Sequence, residues 1–411
     1  MTLYYGSLYW PGASPKPARY APLRNSRRTR VAIVGGGMSG TLCGYELAKA
    51  GIDAVLVERR RIASGSTAAN TGLIQYSNDI MLSELAASIG EAAAARFYRA
   101  CKQAAEKLCG IAAGLRRNVD FKRRASLYYA SSPADAPKLK KEFETLRRHG
   151  LAAEWWDEAL ISANFPFRRA AGIVTRGDAE MNPYAFVLAL AEEMVRCGGT
   201  ICEDTAATGV KPIAGGGFEV ATSDGSIIAE HVVCAVGYAV GLTDWLTGRP
   251  GMAGAALNRS YAIVTEPVPS LADWHERFLL WETARPYLYM RTTPDGRIAI
   301  GGLDEKNGEP VATKKELRVR SEKLLHEFRR MFPAHDPEIR YEWCATFGES
   351  ADGLPWIGEA PDRPGLHYIL GYGGNGAIYS MLGAELIRDA LLGREHPVAA
   401  IVRPGRSRRQ G

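Results

Sequence analysis

Chemistry in this 411-residue sequence starts from Arg30-Val-Ala-Ile-Val-Gly-Gly-Gly-Met-Ser-Gly40 and from Glu58, eighteen residues after the last glycine. Gly35, Gly37 and Gly40 fall at G-x-G-x-x-G spacing. The first glycine of such a motif allows a sharp turn, and the second lets a pyrophosphate approach the backbone. The third lets helix and strand pack closely. The N-terminus of the following helix offers unsatisfied N–H groups and partial positive charge to phosphates. A carboxylate at Glu58 can accept hydrogen bonds from the ribose hydroxyls of an adenosine. A lone glycine triplet can be a plain structural turn. Here strand, turn, helix, cap, strand and acid come in order, and the stretch reads as a dinucleotide site.

The elements that must hold these residues follow from the apolar pattern. Val31 to Val34 is a short β-branched run suited to a buried parallel strand. From Met38 to Ala50 apolar residues recur at helical intervals, with Gly51 as the stop, and Asp53 to Glu58 is the next strand. Glu230-His-Val-Val-Cys-Ala-Val-Gly-Tyr238 reads as another buried strand with a glycine turn. Tyr368 to Ile378 repeats strand, glycine turn and helix. Helices are expected over residues 83–117, 136–149, 183–197 and 315–331, and strong alternation over 260–302 predicts an antiparallel sheet.

These pieces interleave. The fold class is α/β with an α+β substrate lobe: a discontinuous Rossmann-type FAD-binding domain (30–75, 170–250 and 336–411) and a substrate domain built on a large antiparallel sheet (76–169 and 251–335). Residues 1–29, rich in Pro, Tyr and Arg, form an arm across the body and a possible oligomer contact. NAD would normally occupy two consecutive mononucleotide halves, so the discontinuous layout suits FAD better. The loop Arg59-Arg-Arg-Ile-Ala-Ser-Gly-Ser-Thr-Ala-Ala-Asn-Thr-Gly-Leu73, small and hydroxylated, can bring N–H groups close to a large flat ligand or be a plain connection.

Composition narrows the class. Hydrophobic residues at 46% and charged ones at 23% are ordinary for a globular protein, and no apolar run reaches membrane-span length; the longest, Val232 to Leu242, is broken by glycine. Seven cysteines without C-x-x-C pairs and a front without the features of a secretory signal give the cytoplasm as the expected compartment. The net charge of +6 sits partly in two clusters, Arg24, Arg27, Arg28 and Arg30 at the front and Arg403, Arg406, Arg408 and Arg409 at the tail. Both read as solvated ends, with no nucleic-acid module. The seven histidines show no metal-ligand spacing, and no metal is expected.

The order of motifs resembles the FAD-dependent amine and amino-acid oxidoreductases, the group of D-amino-acid, glycine and sarcosine oxidases. Within it, the gamma-glutamylputrescine oxidoreductase-like flavoproteins are the most similar subgroup. The motifs are those above with Gly65-Ser-Thr-Ala-Ala-Asn-Thr-Gly72, Arg285-Pro-Tyr-Leu-Tyr-Met-Arg291, Asp295-Gly-Arg-Ile-Ala-Ile-Gly-Gly302, Asp352-Gly-Leu-Pro-Trp-Ile-Gly358 and Gly371-Tyr-Gly-Gly-Asn-Gly376. The resemblance implies that Gly35, Gly37, Met38, Ser39 and Gly40 hold the pyrophosphate, and Glu58 with Arg59 the adenosine. Gly65, Ser66, Thr67, Asn70, Thr71, Gly72 and Leu73 would line the flavin and ribityl chain. Val210 would contact adenine, while Val236, Gly237 and Tyr238 would pack near the phosphates. Gly373, Gly374, Asn375, Gly376 and Ala377 would aim a helix start at the flavin N1/O2 edge, where reduced flavin carries negative charge.

The implied reaction removes hydride from a C–H next to an amine nitrogen, and oxygen or another acceptor reoxidises the flavin. One departure matters. The arginine that clamps the substrate carboxylate in glycine and D-amino-acid oxidases falls here at Phe347, five residues before Asp352. That tilts the substrate toward an amine or N-substituted amino acid. Arg291 is the alternative clamp of an α-amino-acid oxidase, and Tyr287, Tyr289, Trp343, Phe347 and Tyr372 would make an aromatic cage for an amine cation. Cys344 lies where some sarcosine oxidases tether flavin, but its register favours a buried inert thiol and non-covalent FAD. A nicotinamide-dependent dehydrogenase fits the small-residue loop poorly. A non-catalytic flavin-binding subunit, using the aromatic arm as its partner surface, is the reading from another class.

Overall fold

The computed structural model describes residues 3–238 and 256–406. The expected boundary at 250/251, the end of the apolar run at Leu242, and Arg408 and Arg409 lie outside the described residues. Among the described residues the strands form two sheets.

The nucleotide-side sheet runs in the order Trp356–Ala360, Arg363–Leu370, Ser226–Cys234, Arg27–Val34, Ala54–Val57, Thr200–Cys202, with the hairpin Ala207–Pro212/Phe218–Thr222 added on Ser226–Cys234. Its central pairs are parallel: Val34 lies opposite Val57 on one side and Cys234 on the other. Parallel strands need both faces covered. Val31, Ile33 and Leu56 face a core shared with the helices Met38–Lys49, Pro183–Arg196 and Gly376–Leu391. The alternate residues Ala32, Val34, Val55 and Val57 pack with Val210, Phe218 and Val220. Val31–Val34 and Ala54–Val57 are thereby buried throughout, which explains unbroken apolar runs where a half-exposed strand would alternate.

The ten-stranded sheet is the larger. Its order is Tyr4–Gly6, Ile339–Glu349, Ala256–Thr265, Ile298–Glu305, Leu288–Thr292, Leu279–Glu282, Lys122–Tyr129, Ala171–Glu180, Leu73–Ile74, with Ala153–Asp157 also paired to Ala171–Glu180. All pairs are antiparallel except Leu279–Glu282 with Lys122–Tyr129. The helix Lys314–Met331, started by a Thr313/Glu316 capping box, lays Leu317, Leu324, Leu325 and Phe328 on one face against Ile263, Met290, Ile298, Ile300 and Cys344. Period-2 alternation then turns Tyr287, Tyr289 and Arg291 to the other face.

Sheet membership departs from the expected boundaries. Leu73–Ile74, Ala171–Glu180 and Ile339–Glu349, assigned from sequence to the nucleotide side, all join the ten-stranded sheet. A strand's own residue pattern carries no signal for which of two sheets it enters. The front segment lies on the body: Tyr4–Gly6 is the edge strand on Ile339–Glu349, and Tyr9 and Trp10, 5% and 1% exposed, pack against Val264 and Trp343. Those two rings are therefore unavailable as a partner surface. At the other end, Arg406 makes a paired contact with Asp352 at 2.7 Å to each oxygen, so it is an anchor and not a solvated tail residue. No helix among the described residues is long and apolar enough to cross a membrane.

The tightest packing sits in the glycine turn. A Cβ at Gly40 would lie 1.8 Å from the Gly35 carbonyl oxygen, a backbone atom that has no room to retreat. Gly40→Ala should therefore cost at least about 1–3 kcal/mol of unfolding free energy, as overpacking does. Urea unfolding measures this, and an unchanged midpoint would refute the packing role.

Candidate functional site

Residues from both sheets line a cleft enclosing about 2330 Å³ of empty space, its open mouth included. One end is the first glycine turn. Gly35 has φ +112°, and a Cβ there would sit 2.4 Å from the Ala235 carbonyl oxygen, so the turn and the strand end at Ala235 meet backbone to backbone. Glu58 is held beside the turn by two backbone donors, Gly36 N–H to Oε2 at 2.8 Å and Arg60 N–H to Oε1 at 2.9 Å. A carboxylate has about four lone-pair sites, so both oxygens can still accept from a diol. Arg59 and Arg60 line the cleft, whereas Arg61 turns away to Glu203 at 2.6 Å.

Gly37 opens the helix Met38–Lys49 and faces the cleft with only the Thr67 hydroxyl near its vacant Cβ position, at 3.4 Å. Met38 N–H donates to that Thr67 hydroxyl at 3.0 Å. Ser39 ties the two glycine turns together, its hydroxyl bonding to Tyr372 Oη at 2.8 Å and Ser380 Oγ at 2.7 Å. Tyr238 Oη donates to the Gly373 carbonyl at 3.1 Å, a further link between the ends.

The middle wall is the loop 65–73. Its carbonyls are fixed from behind: Trp343 Nε1 donates to Ala69 O at 2.9 Å, Trp10 Nε1 to Asn70 O at 2.5 Å, and Arg291 Nη1 to Gly72 O at 2.8 Å. The Ser66 hydroxyl lines the cleft as a buried polar atom without a protein partner. An elongated dinucleotide fits these features: a paired acid at one end, an open helix start, an orphaned hydroxyl along the middle and a second glycine turn beyond.

The far end is aromatic and acidic. Tyr287 and Tyr289 lie 5.6 Å apart, and Phe347, Trp281 and Tyr372 complete the wall. Burial keeps the Tyr287 phenol protonated far above its usual range and pushes Tyr289 up to about 12. Asp79 accepts from Gly374 N–H at 2.7 Å and from Tyr287 Oη at 3.3 Å. Burial, with Asp79 nearby, pushes the Asp304 carboxyl up to about 6, against a lowering contact from Ser260.

The structure brings most expected residues to this cleft: Gly35, Gly37, Met38, Ser39, Glu58, Arg59, Gly65, Ser66, Thr67, Asn70, Thr71, Leu73, Val236, Gly237, Tyr238, Gly373, Gly374, Asn375, Gly376, Ala377, Tyr287, Tyr289, Phe347 and Tyr372. Five stand behind the wall. Gly40 packs on Gly35, and Gly72 on Met181 and Arg291. Val210 lies in the core under the sheet, and Thr205 to Thr208 form the wall in its place. Trp343 and Arg291, 1% and 0% exposed, are bound to the loop carbonyls, so Trp343 is no cage residue and Arg291 no free clamp. Cys344 faces the helix Lys314–Met331 across the sheet, and burial pushes its thiol up to about 11; it is not placed to tether a flavin. Asp79, Asp304, Trp281, Ser260 and Arg60 went unrecognised. A faint signal existed for Asp304, an acid two residues past the quoted Asp295-to-Gly302 motif.

The family model "FAD dependent oxidoreductase" matches residues 30–390. Glycine oxidase of Geobacillus kaustophilus (strain HTA426) is 24% identical over 396 residues, 90% of this chain and 94% of that protein. Gamma-glutamylputrescine oxidoreductase of Escherichia coli (strain K12) is 24% identical over 393 residues, 94% and 89%. The crystal structure of L-proline dehydrogenase from P. horikoshii superposes with a TM-score of 0.78 at 19% identity, covering 91% of this chain and 96% of that one.

If Trp10 holds the loop through its N–H, Trp10→Phe keeps an aromatic side chain, smaller than the indole, and strands the Asn70 carbonyl. Leaving a buried acceptor unpaired costs about 1–3 kcal/mol, so FAD affinity should fall roughly 5- to 100-fold. Fluorescence titration of apoprotein with FAD reads this, and wild-type affinity would refute it.

Proposed function

The chain belongs to the FAD dependent oxidoreductase family, and from that premise we propose that it oxidises a C–N bond of an amine to an imine, which water hydrolyses to a carbonyl compound. FAD, when bound, supplies the two-electron acceptor for hydride leaving the carbon next to nitrogen. Oxygen, reduced to peroxide, is the acceptor proposed to complete the cycle.

Glu58, the first glycine turn and the loop 65–73 are proposed to hold the nucleotide, and the 373–377 turn to meet its far end. Gly374 N–H is bonded there to Asp79, Gly373 N–H to the Gly348 carbonyl and Asn375 N–H to the Tyr372 carbonyl, so the helix start at Gly376 and Ala377 is what this turn would offer the cofactor. The tyrosine pair and Phe347 orient the substrate carbon and keep bulk water from the imine.

The observation that carries the choice of an amine over an α-amino acid is the commitment of Arg291. Its guanidinium donates to the carbonyls of Gly72, Met181 and Thr292 and lies 3.6 Å from Glu180. Phe347 occupies the expected clamp position in the cleft wall. A substrate carboxylate would meet no guanidinium among the residues that line the far end, and it would lie close to Asp79 and Asp304.

Purified protein should be yellow, and anaerobic amine should bleach its band near ~450 nm through reduction of the flavin ring. Bleaching by α-amino acids alone would overturn the amine reading. Below about pH 6 Asp304 is neutral and above it anionic. For a substrate arriving as an ammonium, kcat/KM should therefore drop as pH falls from 7 to 5. Asp304→Asn should flatten that acid limb, and an identical profile in the variant would count against the assignment.

A further inference from the structure

The acids at the far end of the cleft are not balanced by nearby cations. Asp79 and Asp304 line it, and Glu349 stands behind the Gly373 turn. None of the three forms an ion pair among the described residues. Among the described residues Asp304 Oδ1 is buried there with no hydrogen-bond partner. Among the described residues, the guanidinium of Arg285 stands beside this end without lining the cleft; it is stacked over the Tyr287 ring at 4.9 Å and donates to backbone carbonyls of Ala284 and Asp79. Three carboxylates thus face one guanidinium. Asp79 and Asp304 both act on Glu349, whose carboxyl burial and these two neighbours raise.

An independent sign that a ligand belongs here comes from Trp281. Its side chain is 5% exposed and its ring is stacked on Tyr128 at 3.8 Å, so it has no freedom to turn. Its Nε1–H has no acceptor among the described residues, although Trp281 lines this same cleft. Buried indole N–H groups are ordinarily paired, and a bound molecule is the partner this wall lacks.

A negative field suits one part of an amine substrate and not another. Hydride departure needs the reacting nitrogen uncharged, and a carboxylate beside it would favour the ammonium form. The acids are therefore misplaced for the nitrogen that reacts and well placed for a cation that does not. They also do not assemble as a set positioned to hold a metal ion. Resting on the proposed amine oxidation, we infer that the substrate carries a second, non-reacting ammonium seated between Asp304 and Asp79 against Tyr287. The substrate class is then a diamine or a longer polyamine, with methylenes running along Tyr287 and Tyr289.

The test compares an α,ω-diamine with the monoamine of equal chain length on the FAD-loaded enzyme, and titrates in a bis-trimethylammonium alkane, which cannot become an imine, by calorimetry. The diamine should exceed the monoamine in kcat/KM by at least about 10-fold, since a charge-assisted contact contributes about 1.5–3 kcal/mol. Asp304→Asn should shrink that ratio by a similar factor and weaken binding of the bis-cation. Asp79→Asn is the second variant should the first not retain flavin. Equal kcat/KM for the two amines, or no binding of the bis-cation, overturns the cation seat and leaves amine oxidation standing. Binding of the bis-cation with no bleaching by any amine would keep the seat and overturn the reaction.

Discussion

Three buried donors facing three peptide carbonyls hold this molecule's working geometry. Trp343, Trp10 and Arg291 come from different parts of the chain and converge on Ala69, Asn70 and Gly72. The loop they grip lies where the two sheets meet, and its peptide groups would otherwise be buried without partners, each at a cost of about 1–3 kcal/mol. With its carbonyls bound from behind, the loop presents its small side chains to the cleft. The requirement also accounts for Gly72, since any Cβ would strike the Met181 carbonyl oxygen at 2.2 Å. It accounts as well for a full-size guanidinium at 0% exposure, which has backbone acceptors in place of solvent.

Beyond that loop, the two ends of the cleft differ in electrical character. The nucleotide end offers backbone donors, a helix start and Arg59 and Arg60. The far end offers carboxylates and the faces of tyrosines. An anionic cofactor and a cationic reductant would each find their own end attractive and the other unattractive, so orientation is set by field before any close contact forms. The Ser39–Tyr372–Ser380 hydroxyl cluster stands at the junction, tying the helix Met38–Lys49 to the turn before Gly376–Leu391.

The first turn was legible because its chemistry is local: glycines, helix start and acid all fall within thirty residues, and spacing alone determines how they meet. The second turn near Gly373 was legible for the same reason. The antiparallel sheet also showed in its alternation. What alternation could not show was depth. Tyr287, Tyr289 and Arg291 share a face, yet two open to the cleft and the third is roofed by a loop two hundred residues away in sequence. Trp343 failed on the same ground. Asp79 and Asp304 were missed because neither sits in a motif, and their significance comes only from facing each other across the fold. The arm was expected across the body, but its edge strand and two buried rings were not legible, because an irregular, proline-rich segment gives no period.

The cleft wall draws on positions from Leu3 to Ser380. Enclosure of the cofactor therefore needs segments far apart in sequence to be assembled together, and a fragment lacking the 373–377 turn would carry the first glycine turn without its far wall.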